Sequence, residues 1–100
     1  MNKIYKYNLP VNGNVITIND GIIEILDLQL QDGVPVMWAM VNPEAKVVEP
    51  IEIIAIGTGW TIPIGVDEYL GTVQDEYGFV WHYFTVKLEE LKQPEEQSYM

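Results

Sequence analysis

The chain has no cysteine, no arginine, one histidine (His82) and one serine (Ser98) in its 100 residues. Without cysteine there is no disulfide, no thiolate nucleophile and no cysteine-based zinc motif. That usage fits a reducing compartment. Without arginine there is no arginine finger, no bidentate clamp for phosphate or carboxylate, and no fork to read guanine. One histidine excludes a multi-histidine metal centre, and a serine–histidine–acid triad would have to draw on Ser98 near the C-terminus. The inventory therefore predicts a protein that binds rather than catalyses, with no metal and no cofactor. Long uncharged runs are also absent, and the N-terminus has no signal-peptide core. A cytoplasmic protein with no membrane contact is expected.

Positive charge is scarce, and its placement is uneven. The net charge is −10. Residues 1–19 hold Lys3 and Lys6 and no acid, whereas residues 20–86 hold eleven acids and only Lys46. The acidity belongs to the body of the protein, not to a solvated tail. Such a field repels polyphosphates and attracts basic surfaces. Direct nucleic-acid binding is not expected, because that affinity rests on neutralising phosphates with Lys and Arg. The same acidity also keeps a small protein with 48% hydrophobic residues in solution.

What is present is β-forming. Alternating apolar and polar residues predict strands at Lys3–Leu9, Val15–Ile18, Ile22–Gln31, Val34–Asn42, Val47–Ile56 (interrupted by Pro50), Glu68–Asp75 and Phe79–Lys87. In Ile22–Gln31 the apolar parity switches near Leu26, as a β-bulge would make it do. Asp32-Gly33 is a hairpin signal between two apolar strands. Val34–Asn42 is apolar on both faces, which predicts a central strand or an interface, and Val34–Val41 is also a candidate edge for pairing with a second copy. The reading is an all-β, compact single domain: an antiparallel β-sandwich or partly open barrel of six to seven short strands. The domain is expected to cover residues 1–88, with 89–100 a flexible acidic tail, and Leu88–Gln97 is expected to make a short helix before Pro94 or to fray.

The chemistry-bearing residues concentrate between Gly57 and Phe84. This stretch holds Gly57-Thr58-Gly59-Trp60-Thr61, two of the three tryptophans and the histidine. Glycine and threonine bring backbone amides and hydroxyls close to a ligand, and a glycine-rich turn can form an anion-binding nest. The dinucleotide and P-loop patterns are both missing, so a tight turn alone also accounts for the glycines. On the last strand, Trp81 and Tyr83 share one face and His82 and Phe84 the other, so one pair is core. Trp60 and Trp81 are candidate stacking platforms, and His82 is a candidate hydrogen-bonding residue. Thr72 and Gln74 share a parity on the neighbouring strand and are expected to line the same wall. The predicted ligand site is therefore Gly57, Thr58, Gly59, Trp60, Thr61, Thr72, Gln74, Trp81 and His82. Asp67-Glu68 and Asp75-Glu76 read as solvated turn acids, since neighbouring strand acids point to opposite faces.

Several blocks together resemble a family of small proteins from tailed phages and prophages. They are Lys3-Ile4-Tyr5-Lys6-Tyr7, the block from Gln31 to Ala45, Gly57-Thr58-Gly59 running into Ile62-Pro63, Glu68-Tyr69-Leu70-Gly71-Thr72-Val73-Gln74, and Phe79-Val80-Trp81-His82-Tyr83-Phe84. The likeness covers roughly residues 3–86. The chain departs from it at Trp60, where a histidine is usual, and in its acidic C-terminal tail. The resemblance implies phage origin and expression in the cytosol of an infected bacterium, and no particular activity.

Four functions follow as expectations. The first is a non-catalytic anti-defence sponge, motivated by the glycine-threonine loop, the neighbouring aromatics and the lack of catalytic residues: it would sequester a nucleotide-derived immune signal, as a homo-oligomer. The second is an acidic inhibitor of a basic, nucleic-acid-binding host defence enzyme, with exposed aromatics as anchors. The third is a virion accessory subunit that makes contacts through sheet edges and Trp38. The fourth, an enzyme, has the least to work with.

Overall fold

A computed structural model of the chain describes residues 1–93. Seven antiparallel strands run in order: β1 (Lys3–Asn8), β2 (Val15–Ile18), β3 (Ile22–Gln31), β4 (Val34–Val41), β5 (Ile51–Gly57), β6 (Val66–Gln74) and β7 (Val80–Val86). They form an all-β sandwich of a three-stranded sheet, β1-β4-β3, and a four-stranded sheet, β2-β5-β7-β6. β3 and β6 lie side by side along one flank without forming a ladder. No helix among the described residues is long and apolar enough to cross a membrane.

Period-two alternation sorts each strand into an inner and an outer face. The inner faces meet in one core, which includes Met37, Ala39 and Val41 of β4, Ile53 and Ala55 of β5, and Trp81 and Tyr83 of β7. Burying a side chain such as Ile53 or Met37 contributes about 1.5–3 kcal/mol. A second, smaller cluster sits on the outer face of the four-stranded sheet. Ile54, Ile56 and Val86 form it, with Val15, Val66, Phe84 and Leu91 packed around them.

β3 shows how register serves this core. Its register slips twice against β4, at Ile23 and at Leu26. Each slip inserts one extra residue, so Ile22, Ile25 and Leu28 all reach the core at three-residue spacing. The parity change expected near Leu26 is the second of these bulges. The first was hidden, because Ile22-Ile23 is apolar at both positions. The Asp32-Gly33 turn has positive φ at both residues (50° and 79°), the geometry of a tight two-residue hairpin.

β4 is central: β1 pairs with one side of it and β3 with the other. It therefore offers no free edge to a second copy, which corrects the edge-pairing expectation for Val34–Val41. β5 also starts later than expected, at Ile51 rather than Val47. Pro50 has no N–H to give a ladder, and the residues before it form a loop in which Val47 is exposed.

Beyond β7, Leu88–Glu90 make one 3₁₀ turn. Lys92 then forms a bridge with Ile64 through Ile64 N–H to Lys92 O (2.7 Å) and Lys92 N–H to Ile64 O (3.1 Å). Residues 88–92 thus form a strap across the outer face of the four-stranded sheet, where Leu91 joins the second cluster. The boundary expected at residue 88 falls at the start of this strap, and residues 94–100 of the expected tail lie outside the described residues. Gly65 makes the strap possible. Its φ is +101°, and a Cβ there would stand 2.9 Å from the backbone of Glu90 and Leu91.

One buried polar bond ties the layers together. Tyr83, fully buried on β7, donates its hydroxyl to the Pro10 carbonyl at 2.9 Å. Burial, with the field of Asp75, pushes this phenol well above its ordinary range, so it keeps its proton and its role as donor. Replacing Tyr83 by Phe strands the carbonyl and is expected to cost about 1–3 kcal/mol. Urea unfolding checks this: the midpoint should fall at an unchanged slope, and an unmoved midpoint refutes the role. Gly65→Ala is expected to release the strap while the sandwich stays folded. Hydrogen exchange should then rise at residues 88–92 and remain slow in β5 and β7.

Candidate functional site

The residues singled out by sequence divide between two neighbouring places. β7 causes the division, because Trp81 points into the core and His82 points out.

On the outer face, His82 is the centre of a hydrogen-bonded row. Thr58 Oγ1 lies 2.8 Å from His82 Nε2, and Thr72 Oγ1 lies 3.0 Å from His82 Nδ1. The row continues from Thr72 Oγ1 to the Tyr69 hydroxyl at 2.5 Å. A neutral imidazole donates from one nitrogen and accepts at the other, so the two threonine hydroxyls take complementary roles. Thr72 stands directly opposite His82 in the β6–β7 ladder. Tyr69 joins them only because the register slips between Tyr69 and Gly71, which puts it on the same face as a residue three places later. Strict alternation would have placed it on the other side, and for that reason sequence reasoning missed it. The Thr58–His82 pair has the reach of a nucleophile and its base. Its ring, however, is oriented by a neutral hydroxyl, not by a carboxylate.

The second place is the end of the sandwich, where the β5–β6 loop meets the β6–β7 turn. Gly57 ends β5, and the Trp60 indole folds back over it. A Cβ on Gly57 would lie 2.6 Å from Trp60 Cε2, so any side chain there displaces the tryptophan. The Trp60 N–H donates to Gly57 O at 3.1 Å, closing the turn. That amide is therefore spent on the turn rather than turned outward to an anion. Gly59 has open space around its Cβ position and is required only for its φ of +85°. The Trp60 ring meets Trp81 edge to face, with centroids 5.5 Å apart. Trp81 in turn packs against Phe79 at 6.2 Å. Buried Trp81 is therefore the floor of this end and not an exposed platform. The exposed aromatics at this end are Trp60 (47%), Phe79 (62%) and Tyr77 (79%). An open groove of about 490 Å³ runs between Trp60 and Phe79, lined by Thr58, Trp60, Phe79 and Trp81 with Asn12 and Gly78 at its sides. Thr61 faces away from it, into a second groove of about 350 Å³ with Pro63, Ile54 and Ile56. Gln74 does not reach either row, and its amide binds Gly78 O at 3.4 Å and steadies the turn.

Asp75 is the residue that sequence reasoning undervalued. It is not a solvated acid. Its Oδ1 accepts the N–H groups of Tyr77 (2.9 Å) and Phe79 (3.0 Å), and its Oδ2 accepts the Trp81 indole N–H (3.0 Å). One carboxylate thereby fixes the turn and the tryptophan floor together. The signal was available: an aspartate two residues before an aromatic-glycine turn is a turn-forming Asx residue. Neither groove is lined by a lysine. Among the described residues, no three His, Asp or Glu side chains gather to hold a metal ion.

Desolvation pushes the Asp75 carboxyl up, but the hydrogen bonds from Trp81, Phe79, Tyr77 and Gly78 outweigh it and hold the group below its ordinary 3.8. A carboxyl lowered in the folded state stabilises that state above its unfolded pKa, and the effect is lost as pH falls through the folded value. Acidification from about pH 4 to pH 2 is thus expected to loosen the turn and change tryptophan emission. Asp75→Asn keeps an acceptor and removes the titrating group, so its emission should be much flatter over that range. Equal pH profiles for the two proteins refute the clamp.

No curated protein and no solved structure matches the chain. A protein-family profile does match, over residues 1–94, and on that match the chain belongs to the family described as a domain of unknown function, DUF7352.

Proposed function

We propose that this is a phage-borne binding protein that acts by docking its aromatic end onto a basic protein partner, and so inhibits a nucleic-acid-binding enzyme of the bacterial host. One observation carries the reading. Three exposed aromatic side chains, Trp60, Tyr77 and Phe79, gather at one end of an acidic body, on a floor held rigid by Asp75 and Trp81. Aromatic anchors on a preorganised base give up little conformational entropy when they are buried, and they dominate binding energy at interfaces. The charge of the body, −10 overall, favours a basic partner and speeds encounter with it. The partner's cationic surface is the one that otherwise receives nucleic acid.

A second reading, sequestration of a nucleotide-derived immune signal, is favoured by a different observation. Thr58 belongs to both places: it lines the aromatic groove and bonds His82. A heterocycle between Trp60 and Phe79 would thus have hydroxyl and imidazole partners at its edge. The absence of lysine from the groove lining counts against a polyphosphate ligand.

Affinity capture from bacterial lysate with the wild type and with Trp60→Ala/Phe79→Ala separates these readings. A basic nucleic-acid-binding enzyme is expected on the wild type, released at high salt and retained at least about tenfold less by the double variant. Inhibition of that enzyme by the pure wild type completes the test. Calorimetry with cyclic and linear adenine nucleotides provides the counter-test. Heat of binding that disappears in the double variant would replace the first reading with the second, and partner capture unaffected by the double variant would overturn the assignment to this end.

A further inference from the structure

We infer that the groove at the aromatic end takes an arginine side chain of the basic partner, with its guanidinium held against Trp60 and Phe79 by cation–π attraction. The inference rests on the reading of that end as the contact for a basic protein, and it names the group that enters. None of the side chains lining the groove is charged. Three rings shape it: Trp81 is the floor, Trp60 stands at 78° to it and Phe79 at 39°. Trp60 and Phe79 are therefore inclined to each other by at least the difference between those angles, 39°. A flat heterocycle stacks between parallel rings, so it can lie against one of these walls and not both. A cation makes no such demand, because its attraction to each ring face is electrostatic and does not require the two faces to be parallel.

Charge at this end favours the same occupant. The Trp81 indole donates its N–H to Asp75 Oδ2 at 3.0 Å, and a carboxylate on that nitrogen makes the ring of the floor richer in electrons. Glu76 follows Asp75 in the turn and lies against the Asp32-Gly33 hairpin, where a Cβ on Gly33 would stand 2.5 Å from Glu76 Oε2. Three acids, Asp32, Asp75 and Glu76, thus share this end with the rings. Lys6 bonds Gln31 Oε1 at 2.6 Å and lines neither groove. The lining also separates the two cationic side chains a partner can offer. Asn12 and Thr58 bring an amide and a hydroxyl to it, and Thr58 Oγ1 keeps a lone pair beyond its bond to His82. An ammonium is a compact, strongly hydrated charge, and two neutral oxygens replace little of its water. A guanidinium is flat, delocalised and weakly hydrated, so it stacks on one ring while its edge N–H groups donate to those oxygens.

Nuclear magnetic resonance of the nitrogen-labelled full chain tests the proposal, with the tryptophan indole N–H signals followed as a blocked glycine-arginine-glycine peptide is added. The Trp60 signal is expected to shift and saturate, with a dissociation constant on the order of millimolar, while Trp38 on the other sheet stays still. The same peptide with citrulline, which keeps the shape of arginine and removes its charge, should bind about tenfold more weakly or less, and the lysine peptide should lie between them. Phe79→Leu keeps an apolar side chain and removes a ring, so it should weaken arginine binding without unfolding the end, whether or not Trp60→Ala folds. An unmoved Trp60 signal, equal binding of citrulline, indifference to Phe79→Leu, or adenosine binding more tightly than the arginine peptide would each overturn the proposal. Arginine binding with no basic enzyme retained from lysate upholds it and fails the functional reading. Retention that depends on Trp60 and Phe79 without arginine binding does the reverse.

Discussion

Everything in this molecule depends on the two-residue period of β7. Its inward residues, Trp81 and Tyr83, anchor the core, and its outward residues, His82 and Phe84, carry the hydroxyl–imidazole row and the second apolar cluster. A one-residue slip of this strand would bury an imidazole and expose two large aromatics. Two polar bonds prevent such a slip. The Tyr83 hydroxyl reaches Pro10 across the core, and the Trp81 indole reaches Asp75 at the end. Both bonds are directional, and each satisfies a donor that burial would otherwise penalise.

The aromatic end is a consequence of that locking. Trp81 is immobilised from below, Trp60 lies on its edge over Gly57, and Phe79 flanks it from the turn that Asp75 closes. These contacts leave half or more of the Phe79 and Tyr77 surfaces exposed to water in a fixed arrangement. Exposed large aromatics cost solubility, and the high negative charge offsets that cost. The same charge that keeps the end soluble also selects what can approach it.

Much of the fold was legible in the residues, and the reasons for success and failure are physical. The seven strands were visible because alternation is strong where one face is wet and the other dry. Asp32-Gly33 was legible because few residue pairs accept positive φ twice in succession. The bulge at Ile23 was not legible, since swapping one isoleucine for its neighbour leaves no trace in an apolar pattern. The stretch expected as a strand from Val47 with an interruption at Pro50 keeps only its second part, because Pro50 has no N–H to continue the ladder back to the valines. In the candidate site, parity pointed to Thr72 and the glycine-threonine loop to Thr58, and both bond His82, whereas Gln74, of the same parity as Thr72, bonds Gly78 instead. The face of Trp81 stayed open in the sequence, because either aromatic pair of β7 would have made a satisfactory core, and the structure turns Trp81 and Tyr83 inward. Tyr69 and Asp75 were missed for a common reason: their roles depend on a bulge and a turn, where alternation no longer reports direction.

The two outer faces of the sandwich show how so small a protein divides its surface. The four-stranded sheet carries apolar residues outward at Ile54, Ile56 and Val86, and the chain covers them itself with the strap that Gly65 admits. The three-stranded sheet also turns apolar residues away from the core, at Val36, Trp38 and Met40, and there the bond from Lys6 of β1 to Gln31 of β3 crosses β4 and leaves Val36 only 2% exposed. β4 is apolar on both faces because both are covered within one copy: the core takes Met37, Ala39 and Val41, while the long side chains of β1 and β3 fold over the outer row, bury Val36 and leave Trp38 and Met40 half-buried. The apolar stem of a lysine can shield such a row while its ammonium stays hydrogen-bonded, so one face is closed by a strap of backbone and the other by side chains alone.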